Sequence, residues 1–193
     1  MSNSPPSTSP EYAPLAGFLS FLLPGLGQIH QGRVGKGLLF LVCLYGMFFY
    51  GMHLGHWRNV YIPDTARENN PATNPWGLWR PAANLYNRLQ YGGQFWIGAA
   101  AWPAIWHYTH DAPNQARGAI NNREDFVKKF EAAPNEDELN DMQRDDDKHW
   151  DLGWVYTVIA GVLNILVIYD AFAGPAFAEG ERAQRAAQEA APA

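Results

Sequence analysis

The chain has little of what usually betrays an enzyme. Its one cysteine, Cys43, sits inside an apolar run, so disulfides play no structural role. No nucleophile elbow, phosphate loop or dinucleotide fingerprint occurs, so those catalytic classes have no basis in the sequence and no cofactor is expected. Met1–Tyr12 contains no lysine or arginine and therefore lacks the basic start of a signal peptide. The apolar run that follows leads into Pro-Gly-Leu-Gly-Gln instead of a small-x-small cleavage site, so residues 1–12 are expected to be retained as a short flexible terminus. The net charge of −5 argues against nucleic acid as a partner.

What the chain has is long uncharged stretches. Ala13–Ile29 and Leu38–Leu54 are each about 17 residues with no formal charge, near the lower limit for crossing a bilayer. Gly92–Thr109 is a third such stretch, Ala-rich and carrying Pro103, for which a re-entrant or surface-lying helix is the alternative. Leu152–Phe172 is a fourth. A mean hydropathy of −0.29 looks soluble only because these runs alternate with very polar ones. Eight tryptophans lie mostly near the ends of the runs, where interfacial aromatic belts form. The expected fold is all-α, an integral membrane protein with about four transmembrane helices and a small helical extramembrane segment.

The first two runs are joined by Pro24-Gly25-Leu26-Gly27-Gln28-Ile29-His30-Gln31-Gly32-Arg33-Val34-Gly35-Lys36-Gly37. Pro24 is tolerated in a spanning helix if a neighbour satisfies the carbonyl it frees. Glycines at 25, 27, 35, 37, 46, 51 and 55 permit close helix approach, with Gly51 and Gly55 in small-xxx-small spacing. Residues Leu22 to Leu39 resemble the two-transmembrane-helix hairpin domain of bacterial membrane proteins, within a longer uncharacterised family. Pro24, Gly25, Gly27, Gln28, Gly32, Gly35, Lys36 and Gly37 carry the match, which covers about a fifth of the chain. Ala160–Asn164 and Tyr169–Ala171 look like the last helix of such proteins, adding Asn164 and Asp170 to the structural motif. The resemblance implies a membrane fold, here the bacterial inner membrane, and no activity. The turn lacks the Asp-Arg-Phe of animal members, so no receptor-like role is implied.

This divides the chain into residues 1–12, a hairpin at 13–55, an aromatic and Pro-rich interfacial loop at 56–91, a third span at 92–109, a polar helical loop at 110–150, a fourth span at 151–176 and an Ala-rich tail at 177–193. In the interfacial loop a short helix is expected over Ala82–Gln90, with Trp76, Trp79 and Tyr86 dipping toward the membrane. The polar loop is expected to hold an amphipathic helix over Asn122–Ala133 and, after Pro134, a second helix to about Lys148. Asp145-Asp146-Asp147 reads as a solvated face. Four crossings put eight cations on the side of the first turn and six on the other, a slight preference for a cytoplasmic turn.

Four crossings also sort the ionisable residues. His30, His107, His110, Asp111, His149 and Asp151 fall at the turn side, and His53, His56 and Asp170 at the opposite side. Imidazoles at i and i+3 can grip one ion, so His107 and His110, with His30 and His149, form the candidate metal set. A mid-span Asn164 is expected to hydrogen-bond another helix, and Asp170 to pair with Arg58 or His56. Two functions follow. One is a non-enzymatic scaffold that contacts the lipid bilayer and other membrane proteins or its own copies. The other is a small metal-dependent enzyme or metal-handling protein using the turn-side histidines.

Overall fold

The computed structural model describes residues 12–62, 79–115, 130–131 and 148–189. The expected helix to Lys148, the Asp145–Asp147 run and Trp76 lie outside them. Within them the regular structure is helical: α1 (Pro14–Leu22), α2 (Leu26–His30), α3 (Val34–Leu54), α4 (Arg80–Tyr86), α5 (Leu89–Gln94), two 3₁₀ turns (Phe95–Ile97 and Ala99–Ala101), α6 (Trp102–Gln115) and α7 (His149–Glu189). Two of these helices, Val34–Leu54 and the His149–Gly174 part of α7, are long and apolar enough to cross a membrane. Their outward faces are apolar, with Leu39, Val42 and Leu166 about 60% exposed.

α7 is the spine against which α1, α2, α3 and α5 pack. It runs antiparallel to α3: Gly153 meets Gly51 and Gly55 at one end, and Asp170 meets Lys36 at the other. A β-carbon placed on Gly51 would lie 2.7 Å from the Gly153 carbonyl oxygen, so these glycines bring the two backbones together. Gly35 and Gly46 face open space and play no such part.

The first apolar run does not form one helix along this spine. Ala13 N–H donates to the Phe172 carbonyl (2.9 Å). Two turns deeper along α7, the Ser20 carbonyl accepts from Asn164. The chain then reverses at Pro24-Gly25, where Gly25 adopts φ +84°, and α2 climbs back until Gln31 Nε2 donates to the Ala171 carbonyl (2.6 Å). Both limbs of this hairpin thus begin and end at one end of the bundle. Pro175 explains why α7 receives it there. Proline has no N–H to offer the carbonyl four residues earlier, so Ala171 has lost its helical donor and Gln31 supplies one.

The third run is also broken. The start of α7 lies against the end of α3, where Gly153 meets Gly51 and Gly55. Helix α5 runs inward along α7, with Gln94 at Thr157 and the Trp96 carbonyl at Asn164. The chain turns at Gly98 (φ +87°), which abuts the carbonyls of Phe21 and Leu22, and α6 leads back out. Two hairpins therefore approach from opposite ends of the bundle and meet tip to tip beside Asn164.

Local expectations need two further corrections. The Ala82–Gln90 helix is divided into α4 and α5 by Asn87 and Arg88. The expected Asn122–Ala133 helix lies outside the described residues except at Phe130 and Glu131, and there Glu131 has a left-handed φ of +56° that a helix does not allow. Trp79 and Tyr86 are exposed.

Candidate functional site

Three polar clusters lie among the apolar helices. At the first-turn end, Ser20 Oγ donates to Gln28 Oε1 (3.0 Å) and accepts from the Gly27 N–H (3.1 Å). Gln28 is wholly buried, and its Nε2 donates to the Val167 carbonyl (2.8 Å) and to Asp170 Oδ2 (3.1 Å). Asp170 also pairs with Lys36 (2.7 Å) and Arg33 (3.1 Å). These groups are about a third exposed, so the ion pairs themselves are weak. The buried amide beneath them does more to fix the register. Asp170 therefore belongs to the first-turn end, and its partners are not Arg58 or His56. The four-crossing count had placed it at the wrong end of the last helix.

At mid-depth Asn164 is fully buried and divides its amide between two carbonyls, Ser20 (3.1 Å) and Trp96 (2.8 Å). α1 ends at Leu22 and Leu23 is extended, so the Ser20 carbonyl in its last turn has no helical donor. A single side chain thus holds the tips of both hairpins.

At the other end the buried Asn59 donates to the Gly51 carbonyl (3.1 Å), and Gln94 donates to Thr157 Oγ1 (2.7 Å) and to the Asn59 carbonyl (3.3 Å). Nearby, Glu131 is wholly buried. Its N–H donates to the Trp57 carbonyl (2.9 Å), and its Oε2 accepts from the Ala104 N–H (2.9 Å) in the first turn of α6. Burial raises its pKa to about 9, against which the Ala104 bond acts weakly. The native state accordingly holds a proton that the unfolded chain releases above the ordinary glutamate value. Stability contributed by this contact should be complete at acid pH and fall as pH rises from about 4.5 to about 9, by at most about 1.4 kcal/mol per pH unit. In denaturant titrations of detergent-solubilised protein, Glu131→Gln should remove that slope while keeping the Ala104 bond. Equal slopes for the two proteins would refute the assignment.

The four candidate metal ligands do not converge. His30 precedes Gln31, which bonds Ala171, while His149 opens α7 about 33 Å of helix away. His110 stacks on Trp106 (3.8 Å between centroids) on α6, with His107 on the same helix. Among the described residues no group of three or more His, Cys, Asp or Glu could hold an ion. An open groove of about 420 Å³ between Phe21, Phe95 and α6 is lined by Trp102, Ile105, Trp106 and Thr109 and carries no ionisable side chain. Reasoning from the sequence missed Glu131, taken as part of a solvent-facing amphipathic helix, and Arg88. Nothing in their immediate neighbours marks them as buried.

The comparisons name no activity. No curated protein and no solved structure matches the chain. One family model does, over residues 15–184, and so covers the first hairpin, both long helices and the connection between them. The chain therefore belongs to that family, a family of unknown function (DUF6677).

Proposed function

We propose that this is a non-enzymatic integral membrane protein that crosses the bilayer with α3 and α7 and serves as a scaffold. The 55–148 connection would be its contact surface for other membrane proteins or further copies of itself. One observation carries the reading: the buried polar side chains of Gln28, Asn164, Asn59 and Gln94 each bond from one element to another, and none lines the groove. Their bonding capacity goes into assembling the helices, and the outer faces of α3 and α7 are left apolar, as a lipid solvent requires. The inner-membrane location implied by the hairpin resemblance belongs to the same proposal. Two crossings, with re-entrant hairpins in place of the other two, replace the four-span arrangement.

The test uses native membranes. The full chain should resist alkaline carbonate extraction and migrate on native gels in a complex larger than the monomer. Replacing residues 116–129 and 132–146 with Gly/Ser linkers should leave membrane insertion intact and reduce the complex to monomer size. A complex unchanged by that replacement would overturn the scaffold reading.

A further inference from the structure

Arg88 is the most conspicuous charge that the helix-to-helix bonding leaves over. It stands between α4 and α5, with its guanidinium 3.6 Å from the centroid of the Tyr61 ring. Nη2 donates to the Asn59 carbonyl (3.0 Å), which also accepts from Gln94. Its Nε is buried and without a partner. The ion pairs of Asp170 with Arg33 and Lys36 lie at the far end of the bundle. Burial pulls the Arg88 pKa below its ordinary value, and only Tyr61 opposes the shift. A desolvated cation with no counter-charge among the described residues is expensive, and more so beside hydrocarbon.

The surroundings indicate what could supply the counter-charge. Tyr61, beneath the Arg88 guanidinium, packs with Trp150 and Trp154 at the end where α3 finishes. Such aromatic clusters sit at headgroup level. A planar, partly exposed guanidinium held by ring stacking suits a tetrahedral phosphate oxyanion better than a point charge would. We propose that Arg88, seated on Tyr61 and anchored to the Asn59 carbonyl, forms a binding site for the phosphodiester of an anionic phospholipid headgroup. The site rests on the membrane reading above but not on the scaffold role.

The experiment is native mass spectrometry of the full chain in neutral detergent, titrated separately with dioleoylphosphatidylglycerol, with dioleoylglycerol, which lacks the phosphate, and with inorganic phosphate. One phosphatidylglycerol should be retained per chain under conditions that strip dioleoylglycerol. Arg88→Gln should lower its occupancy at least tenfold and Arg88→Lys several-fold. Tyr61→Leu, which keeps the charge but removes the stacking surface, should also lower it several-fold and guards against a misfolded Arg88→Gln. Equal retention by wild type and all three variants overturns the site. Retention of inorganic phosphate with no lipid adduct overturns the lipid assignment in favour of a free-phosphate site. Carbonate extraction of the same membranes separates the two levels of failure. A chain that stays in the pellet yet retains no phosphatidylglycerol refutes the Arg88 site alone, whereas a chain released by carbonate refutes the membrane reading beneath it.

Discussion

Gly25→Ala is expected to destabilise the protein by about 2–6 kcal/mol, among the largest effects of any single methyl group in the chain. Two penalties combine. At φ +84° a residue with a β-carbon is strained by about 1–3 kcal/mol. The added carbon would also point into the backbone of Gly37, whose Cα would lie 3.0 Å away, so α2 and α3 would have to separate. Overpacking of that kind costs a further ~1–3 kcal/mol. Gly46→Ala provides the contrast, because a β-carbon there meets nothing within 4 Å and replaces a poor helix former in the middle of α3. That variant should be neutral or more stable by up to about 1 kcal/mol. Thermal unfolding of both in the same detergent gives the comparison. Similar midpoints would mean that the Pro24-Gly25 reversal is not the tight turn described.

Asn164→Leu should cost about 2–4 kcal/mol, because two buried carbonyls lose their donor together. Leucine is apolar and of similar bulk, so the loss reports hydrogen bonding more than volume. Asn164→Asp is the sharper test. At neutral pH it offers only oxygens to the Ser20 and Trp96 carbonyls and should be at least as damaging as leucine. Because Asn164 holds both hairpin tips, each variant should increase protease cleavage near Leu22–Gly25 and near Ile97–Ala99 alike. Cleavage at one tip only would show that the two hairpins are secured independently.

The two long helices are legible in the sequence because α3 and the first part of α7 are uninterrupted and nearly free of charge. The hairpins are not. Hydropathy averages over a window, and Ala13–Ile29 is as apolar as a span whether it forms one helix or two half-length limbs. What separates the cases is the backbone at Gly25 and Gly98, where two dihedral angles reverse the chain, and glycine permits that reversal without announcing it. The misplaced Asp170 follows from the same error. Counting four crossings puts the residue opposite Arg33 and Lys36, whereas the antiparallel packing of α3 and α7 brings it to them. His107 and His110 were grouped with His30 for that reason as well. Glu131 and Arg88 were invisible for a different one: a lone acid in a charged segment and an arginine beside an aromatic-rich loop look solvated until tertiary packing covers them.

The hydrogen bonds of Asn164 also set an order of events during synthesis. The ribosome makes the first hairpin, α3 and the second hairpin before it reaches α7, and Asn164 lies about four-fifths of the way along the chain. Until then, the Ser20 and Trp96 carbonyls lack the donor that lets them stay out of water. The hairpin tips can therefore reach their packed positions only after the last long helix has emerged, and the first hairpin, made before α3, is among the last elements to reach its final place.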